Sequence, residues 1–513
     1  MKFLFQNKHK FLLLIILVLS NGMVFLDATI LPVALPKIQS MFHSTSAQIQ
    51  WMINSYLLAM AVFMVAGGKI ADLLGRRKVF CIGMGLFGIS SLFCGLSYVS
   101  WALIGFRFVQ GIGSAMLVPA SMGLLCESFS EKERYTVIGI FGSVASVFMT
   151  LGPLIGGYFT QYLSWHYIFF INVPISIILI IFTLIIITKS PKLKEPVDIY
   201  GFLSFGFGLF FLTLALMQAV SWGWGSLAVI TLFILMLVSF ILLYHSDKRA
   251  KAPFIDFKLF KIPLFFCPLI IYTSVSIARM ITVFWVIYFQ NILGISPLLA
   301  GIIVSISVCP MIFLSPLTGF FVDKFGIKKP VIFGQFLLIF SYVWIAIFMI
   351  QGKNIYVLMP GLLVFGIGTV LVMNISYSTA INSVSVAKSS IAASIITTFK
   401  NAGSCLGVAI LGSILTNIQF SKLSSTLSQI SPKSNPKLLE GLLSGSSKAI
   451  EALKALPEQV QAQTKEALSF SYSLGISIAN ICAAVIIVVG LLTIFTHRKI
   501  KIRKEKMIPS SEP

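Results

Sequence analysis

Fourteen apolar runs, each about 20 residues long, divide this 513-residue chain and restrict the structures it can form. A run of about 20 residues is enough to cross the hydrocarbon core of a bilayer as an α-helix. The sequence is 57% apolar and 11% charged, whereas soluble proteins carry about a quarter charged residues. We therefore predict an all-α membrane protein, for which a domain count based on soluble proteins does not apply.

The predicted spans follow one another through short connections, except for one long loop before the last span. An even number of spans places both chain ends on the same side of the membrane. The spans are predicted near residues 11–33, 48–70, 78–97, 101–124, 136–160, 167–188, 199–219, 225–244, 264–290, 297–321, 330–350, 355–378, 390–416 and 470–496.

Lysine and arginine residues concentrate in the loops on the side of the N-terminus. They account for a formal net charge of +22, from 38 basic against 16 acidic residues. The short loops of the other side hold only Lys37 and Lys353. Since basic loops stay in the cytoplasm, this bias predicts a multi-pass protein of the cell membrane with both termini cytoplasmic. Because these lysine and arginine residues lie in the loops between spans, they indicate the orientation of the chain in the membrane rather than a surface that binds nucleic acid.

One loop motif occurs twice and predicts an internal duplication. Residues 68–78 and 319–329 both read G-x-x-x-D-x-x-G followed by basic residues, after the second and tenth spans. Twin loops are typical of secondary transporters built from repeated units. The two loops correspond only if the seventh and eighth spans are an insert between two six-helix halves.

The repeat predicts four regions along the chain. They are a six-helix bundle at 1–190, two inserted helices with a cytoplasmic linker at 191–262, a second six-helix bundle at 263–496, and a basic cytoplasmic tail at 497–513. The second bundle includes a long external loop at about 417–469. Within it, Pro436–Leu456 and Pro457–Leu468 have the pattern of two short amphipathic helices. We expect this helical hairpin to pack on its own bundle; contact with lipid or a partner protein is the alternative.

Asp27 is the one carboxylate that the sequence places deep in the hydrocarbon region. An ionisable group there is costly and is a functional candidate by default. Arg107, in the fourth span, lies at a similar depth and is the predicted partner. A nearby cation favours the charged carboxylate and dehydration favours the neutral one, so Asp27 can gain and lose a proton. A static structural ion pair is the alternative.

Six short motifs appear in order along the chain, and together they are specific. On these residues the chain resembles the major facilitator superfamily, in particular its fourteen-helix drug:proton antiporters of the EmrB/QacA type. The resemblance covers nearly the whole chain. The motifs are Leu26–Pro36, Gly68–Lys78, Arg107–Gly113, Gly152–Gly157, Trp165–Pro174, and Tyr288–Asn291 with Ser296–Pro297.

The resemblance implies two six-helix bundles plus two inserted helices that work by alternating access. It implies Asp27 as the proton carrier and Arg107 as its tuner. In the first loop motif, we predict that Asp72 docks at the start of the thirteenth span, near Ser389, in one conformation only. A solvated loop charge is the alternative. The predicted latch residues are Gly68, Asp72, Gly75, Arg76 and Asp323.

A glycine- and proline-rich element in the fifth span is typical of antiporters in this family. Proline removes a helix hydrogen bond, and glycine lets backbones touch. A simple structural kink explains the same residues nearly as well. The predicted flexing residues are Gly152, Pro153, Gly156 and Gly157.

The substrate cavity is expected to be apolar and aromatic, with a few polar groups. Arg279 and Lys400 are two further cations predicted inside spans, which disfavours export of divalent cations. It shifts the expectation towards neutral, zwitterionic or anionic amphiphiles; snorkelling or pairing with backbone carbonyls is the alternative. The chain has 45 phenylalanines, so ordinary packing is the alternative for each aromatic. The candidates are Asn54, Tyr56, Gln110, Arg279, Trp285, Tyr288, Gln290 and Lys400.

The predicted function is proton-coupled efflux of lipophilic compounds, with a lipid or lipid-precursor translocator and a metabolite transporter as alternatives. The chain has no nucleotide-binding loop of the G-x-x-x-x-G-K-[ST] type. No Ser/His/Asp or metal cluster is evident, and no two cysteines have metal-site spacing, so we predict no enzyme activity, no metal and no cofactor beyond the proton gradient. Expected partners are lipophilic substrates, protons and membrane lipids. A periplasmic adaptor protein is left open, a monomer is expected, and nucleic acid is not.

Overall fold

A computed structural model describes residues 8–129, 131–188, 198–250, 253–255, 257–351, 355–384, 389–430 and 458–496. Within them, fourteen helices are long and apolar enough to cross a membrane, as predicted. They are α1 (Lys8–Phe42), α2 (Ser46–Leu74), α3 (Arg76–Gly95), α4 (Ser100–Ser128), α5 (Glu131–Tyr162), α6 (Tyr167–Phe170 and Asn172–Ile186), α7 (Ile199–Trp222), α8 (Leu227–Arg249), α9 (Pro263–Arg279 and Ile281–Asn291), α10 (Pro297–Val308, Pro310–Leu314 and Thr318–Phe325), α11 (Lys328–Gln351), α12 (Met359–Asn382), α13 (Ser389–Ile430) and α14 (Glu458–Thr496).

Two spans in the second half are broken near their middle. In α10, Pro310 and Pro316 lack the N–H that an α-helix needs, and a 3-10 turn at Ser315–Leu317 separates the segments. In α9 the break falls at Met280, whose N–H donates to Ile277 three residues back at 3.2 Å. That tightened turn places Arg279 at the end of one segment rather than in a continuous helix.

The helices pack as two bundles joined along two seams. In the first half α2 and α3 pack on α4, and α1 packs on α5; in the second half α11 packs on α12 and α14, and α9 on α13. Two main seams join the halves, α2 with α13 and α5 with α10, and α1 also contacts α9 and α10. The inserted α7 and α8 pack on each other, and α7 also contacts α2 and α13.

The buried Asp198 carboxylate fixes the position of the inserted pair. It accepts hydrogen bonds from the Gly201 amide at 2.8 Å, the Ser246 hydroxyl at 2.8 Å and the Phe254 amide at 3.1 Å. One side chain thus caps α7, holds the end of α8 and anchors the connection to α9. This contact gives the seventh and eighth helices a defined place beside the α2–α13 seam.

The helices on either side of the last external loop are longer than the predicted spans. Helix α13 continues to Ile430 and α14 begins at Glu458, so helical structure extends into both ends of the loop predicted at about 417–469. Residues 458–468 of the predicted short helix Pro457–Leu468 are helical, but they form the first turns of α14 rather than a separate helix. The predicted helix Pro436–Leu456 and the tail 497–513 lie outside the described residues.

The two halves close on each other at one end of the bundle. We call the end where α2 passes into α3, at Leu74–Arg76, the basic end, and the other the distal end. Near the distal end three hydrogen bonds link the halves: Gln290 Nε2 to the Val33 carbonyl at 2.9 Å, the Leu298 amide to Gln161 Oε1 at 3.1 Å, and Ser305 Oγ to the Thr150 carbonyl at 2.9 Å.

Candidate functional site

The Asp27 carboxylate lies at the centre of a polar cluster inside the first half. It is fully buried, with 0% of its surface exposed. Its Oδ2 accepts from Arg107 Nη1 at 2.6 Å, and its Oδ1 accepts from Gln110 Nε2 at 3.0 Å and Asn172 Nδ2 at 3.2 Å. Three donors around one buried carboxylate offset the cost of removing its charge from water.

Arg107 makes further contacts besides its ion pair with Asp27. Its Nη1 also donates to Gln110 Oε1 at 2.7 Å, and its Nε donates to the Met52 carbonyl of α2 at 3.3 Å. The guanidinium lies 4.2 Å from the centre of the Tyr56 ring, in a cation–π contact. The predicted pairing of α1 with α4 through these side chains is therefore present in the structure.

Asn172 completes this polar cluster, and it is not among the site residues predicted from the sequence. It begins the second segment of α6, and its amide donates both to Asp27 and to Ser91 Oγ of α3 at 3.1 Å. An asparagine inside an apolar run, within the motif Trp165–Pro174, was the available signal, because intramembrane polar groups pair with one another. The cluster thus joins five helices, α1, α2, α3, α4 and α6.

A cavity of about 380 Å³ lies between the two halves beside this cluster. Arg107 lines it, whereas Asp27, which is hydrogen-bonded to Arg107, does not. The lining continues towards the basic end, at Phe141 of α5 and Tyr377 of α12. A Cβ placed at Gly142 of α5 would meet nothing within 4 Å. The cavity lining therefore extends towards the basic end, whereas hydrogen bonds between the halves lie near the distal end.

Three of the eight predicted cavity residues line this cavity: Tyr56, Arg279 and Lys400. Gln110 lies among the polar cluster instead. Trp285 is buried and donates to Asn480 Oδ1 at 3.1 Å, and the Tyr288 hydroxyl donates to the Met349 carbonyl at 3.0 Å. These aromatic rings face the core of the second half, so their prediction as cavity residues is corrected.

Asn54 and Gln290 also lie away from the cavity. The Asn54 amide donates to the Met217 sulfur of α7 at 3.1 Å, which fastens the insert to α2. Gln290 joins the halves at the distal end through its bond to Val33. Hydropathy identified the spans of these residues but not the rotation of each helix about its axis.

The first loop motif forms a network of charged side chains. Arg76 Nη2 lies 2.9 Å from Asp72 Oδ1, and its Nη1 lies 3.0 Å from Glu127 Oε1 and 3.1 Å from the Gly123 carbonyl. Asp72 is therefore paired with Arg76 of its own loop motif in this conformation, and its docking near the start of α13 in the other conformation stays a prediction. Glu127, at the end of α4, was not predicted.

The two loop motifs share a backbone feature but not a charge network. Gly75 and Gly326 have φ values of 96° and 72°, a region that suits glycine, and each donates its N–H to the last turn of the preceding helix. In the second loop Asp323 is exposed, and no ion pair is recorded for it among the described residues. The duplication therefore conserves the turn geometry.

The predicted flexing residues of α5 are close-packing positions. A Cβ at Gly156 would lie 2.7 Å from the Ile30 carbonyl of α1, and one at Gly157 would lie 2.7 Å from the Leu298 backbone of α10. Gly152 faces Thr29 in the same way, and the Pro153 carbonyl packs against Gly301. This stretch of α5 therefore contacts both α1 and α10 at backbone distance.

The family can be assigned on a sequence match that covers most of the chain. The model of the Major Facilitator Superfamily matches residues 17–200 and 199–408. The chain belongs to the major facilitator superfamily. It is therefore a multi-pass membrane transporter and not an enzyme.

Curated relatives of this transporter include proteins named for drug resistance and for vitamin transport. It is 31% identical to the multidrug resistance protein Stp of Mycobacterium tuberculosis, over 80% of this chain and 76% of that protein. It is 26% identical to the tetracenomycin C resistance and export protein of Streptomyces glaucescens, over 93% and 89%. It is 29% identical to the riboflavin transporter RibZ of Clostridioides difficile, over 79% and 88%.

The fold is shared with solved transporters of low sequence similarity. A bacterial homologue of the human lysosomal transporter Spinster, in an inward-facing and occupied conformation, matches with a TM-score of 0.67. The match has 17% identity and covers 96% of this chain and 97% of that one. At this level of identity the likeness concerns the fold alone.

Proposed function

We propose that this transporter exports lipophilic compounds from the cytoplasm in exchange for protons, by alternating access. The basic end faces the cytoplasm, with both termini on that side, because its loops carry the lysine and arginine excess. The observation that carries the proposal is a buried carboxylate that is hydrogen-bonded to an arginine lining the central cavity. The drug-resistance names of Stp and of the tetracenomycin exporter support the direction of transport.

In the proposed cycle, cavity occupancy and protonation of Asp27 exclude each other through Arg107. When the cavity opens to the outside, a proton neutralises Asp27 and frees Arg107 from its ion pair. When the cavity opens to the cytoplasm, substrate contacts Arg107, and Asp27 releases its proton to that side. A buried ion pair that loses one charge is left unbalanced by about 3–5 kcal/mol, which is enough to bias two conformations.

The α5–α10 seam is the element that moves in this proposal. Both helices touch at the distal end through Gly157, Gly301 and Pro153. Opening the distal end requires these backbones to part, and closing the basic end requires Phe141 and Tyr377 to approach. The Asp72–Arg76–Glu127 network lies at the basic end, where it can rearrange as the halves close.

The experiment uses inverted membrane vesicles from a host without its own exporters, loaded with a pH-sensitive dye. After respiration has acidified the lumen, addition of a substrate evokes proton release from vesicles that contain the transporter. Tetracenomycin C and other lipophilic drugs form the first panel, and riboflavin tests the metabolite alternative. A lipid translocator would ignore every soluble compound and would instead change lipid asymmetry, which a headgroup-labelling assay measures.

A further inference from the structure

The central cavity carries cations without matching acids. Among the described residues that line it, the charged ones are Arg107, Arg279 and Lys400. Arg107 is neutralised by Asp27 at 2.6 Å, whereas Arg279 and Lys400 have no carboxylate within ion-pair distance in the described part of the chain. The second-half wall of the cavity therefore carries two uncompensated positive charges in a low-dielectric region, where unpaired charges are costly.

Neither of these two cations is satisfied by hydrogen bonds. The Arg279 Nε is buried and no acceptor contacts it within the described residues. Lys400 Nζ lies 5.1 Å from the centre of the Phe25 ring of α1, a cation–π contact that supplies no acceptor. The next residue, Asn401, also lines the cavity, and its buried Nδ2 likewise has no partner among the described side chains and backbone.

Three donor groups without acceptors on one cavity wall are complementary to an anion. A carboxylate, sulfonate or phosphate monoester offers several acceptor oxygens, and hydrogen bonds between charged groups are the strongest kind. A cationic group at the same place would meet two like charges and no acceptor. A cavity built for cations would present a carboxylate, and the described lining presents none.

The rest of the cavity suits an apolar body. Met60, Met64 and Met149 lie on the first-half side, with Phe141 and Phe365 also in the lining. Methionine side chains are flexible and polarisable and adapt to ligands of different shape. A lipophilic ring system would therefore rest against this surface while its anionic group reaches Arg279 and Lys400.

We propose that the cavity binds amphiphiles with a single anionic group, held by Arg279, Lys400 and Asn401 on the second-half wall. The inference rests on the proposed transport function for its context, but it concerns the charge of the ligand and not its coupling to protons. Free anionic compounds and anionic lipids share this chemistry, and the test separates them.

The test measures equilibrium binding to the purified full-length transporter in phosphatidylcholine nanodiscs, without a proton gradient. Three radiolabelled probes share one naphthyl body: naphthylbutyrate, naphthylbutanol and naphthylbutyl-trimethylammonium, each corrected with empty nanodiscs. The site predicts that the butyrate binds about tenfold or more tightly than the alcohol, since hydrogen bonds to charged groups are worth about 1.5–3 kcal/mol. Equal affinity, or a preference for the cation, overturns the proposal.

Substitutions of the cationic residues test whether the second-half wall of the cavity causes the preference for the anionic probe. Arg279→Gln and Lys400→Gln should each lower butyrate affinity about tenfold and leave alcohol affinity within about twofold. Lys400→Arg should keep the preference, and Lys422→Gln, which removes an exposed cation on α13 outside the lining, should change neither. Loss of affinity for all probes alike in a folded Lys400→Gln protein, or an unchanged butyrate preference, contradicts the site.

A last comparison identifies the source of the anion. Nanodiscs with phosphatidylglycerol compete with butyrate if the site takes a lipid headgroup, and leave binding unchanged if it takes a free compound. Both results retain an anion site and name its ligand. Because no transport is measured here, a failed charge preference leaves proton-coupled export standing, and a failed vesicle experiment leaves the binding preference standing.

Discussion

At the scale of residues, the transporter concentrates its buried polarity around one carboxylate. Asp27 accepts from Arg107, Gln110 and Asn172, and Arg107 in turn donates to Gln110 and the Met52 carbonyl. The cluster is coupled, so removing one member leaves the others buried without partners. Asn172 Oδ1 is the one side-chain atom of this cluster that is buried without a hydrogen-bond partner among the described residues, so the network is incompletely satisfied there.

A double-mutant cycle tests this coupling. Arg107→Met leaves Asp27 buried beside amides alone and should lower the free energy of unfolding by about 3–5 kcal/mol. The double variant Asp27→Leu/Arg107→Met removes both charges and should recover a large part of that loss. The measurement is the unfolding midpoint of each purified variant in one detergent. Additive effects of the two single substitutions would show that the pair is not coupled.

At the scale of helices, sequence patterns predicted the spans, the Asp27–Arg107 pair and three lining residues of the cavity (Tyr56, Arg279 and Lys400), but not which of the other polar and aromatic candidates face it. Apolar length identifies a span, and a rare intramembrane charge needs a partner, so both features are visible in one sequence. The rotation of each helix is set by packing with its neighbours. Trp285 and Tyr288 therefore turned out to face the second-half core, while Arg279 and Lys400 face the cavity.

The ends and breaks of helices were also beyond the sequence patterns. Helix α13 extends to Ile430 through residues such as Asn417 and Ser421, which hydropathy assigned to a loop. The break at Met280 involves no proline at that position and follows from a local 3-10 turn. Asp72 forms its ion pair with Arg76, four residues further along the chain. A basic residue this close in sequence reaches the carboxylate without any movement of the halves.

The close contact between α5 and α1 gives a prediction about glycine. In Gly156→Ala the new methyl group would meet the Ile30 carbonyl, and overpacking of this kind costs about 1–3 kcal/mol. We expect a lower unfolding midpoint and slower export. The matched control is Gly105→Ala in α4, where a Cβ meets nothing within 4 Å. Equal behaviour of the two variants in vesicles would contradict the role assigned to this packing.

At the scale of the whole molecule, the structure shows one end of the cavity closed by contacts between the halves. The distal contacts include the Leu298 amide with Gln161 and the Gln290 side chain with the Val33 carbonyl. The described cavity lining carries a positive wall in the second half and a neutralised ion pair in the first. Transport by alternating access requires the distal contacts to break once in every cycle.

Cross-linking tests that requirement. In a cysteine-free background, Gln161→Cys with Leu298→Cys places one thiol on each half, and a short bismaleimide should block export. The control pair, Ser44→Cys with Ser100→Cys, replaces hydroxyls 2.7 Å apart within the first half at the same end. Cross-linking that pair should leave export unchanged. Continued export by the Gln161–Leu298 adduct would show that the distal end need not open.

The most direct test of proton coupling through Asp27 compares two activities of Asp27→Asn in proteoliposomes. The amide keeps the size of the side chain and its contact with Arg107 but cannot carry a proton. We predict that the variant exchanges labelled for unlabelled substrate across the membrane at near the wild-type rate, while substrate no longer evokes proton release. Normal substrate-evoked proton release by Asp27→Asn would contradict the account.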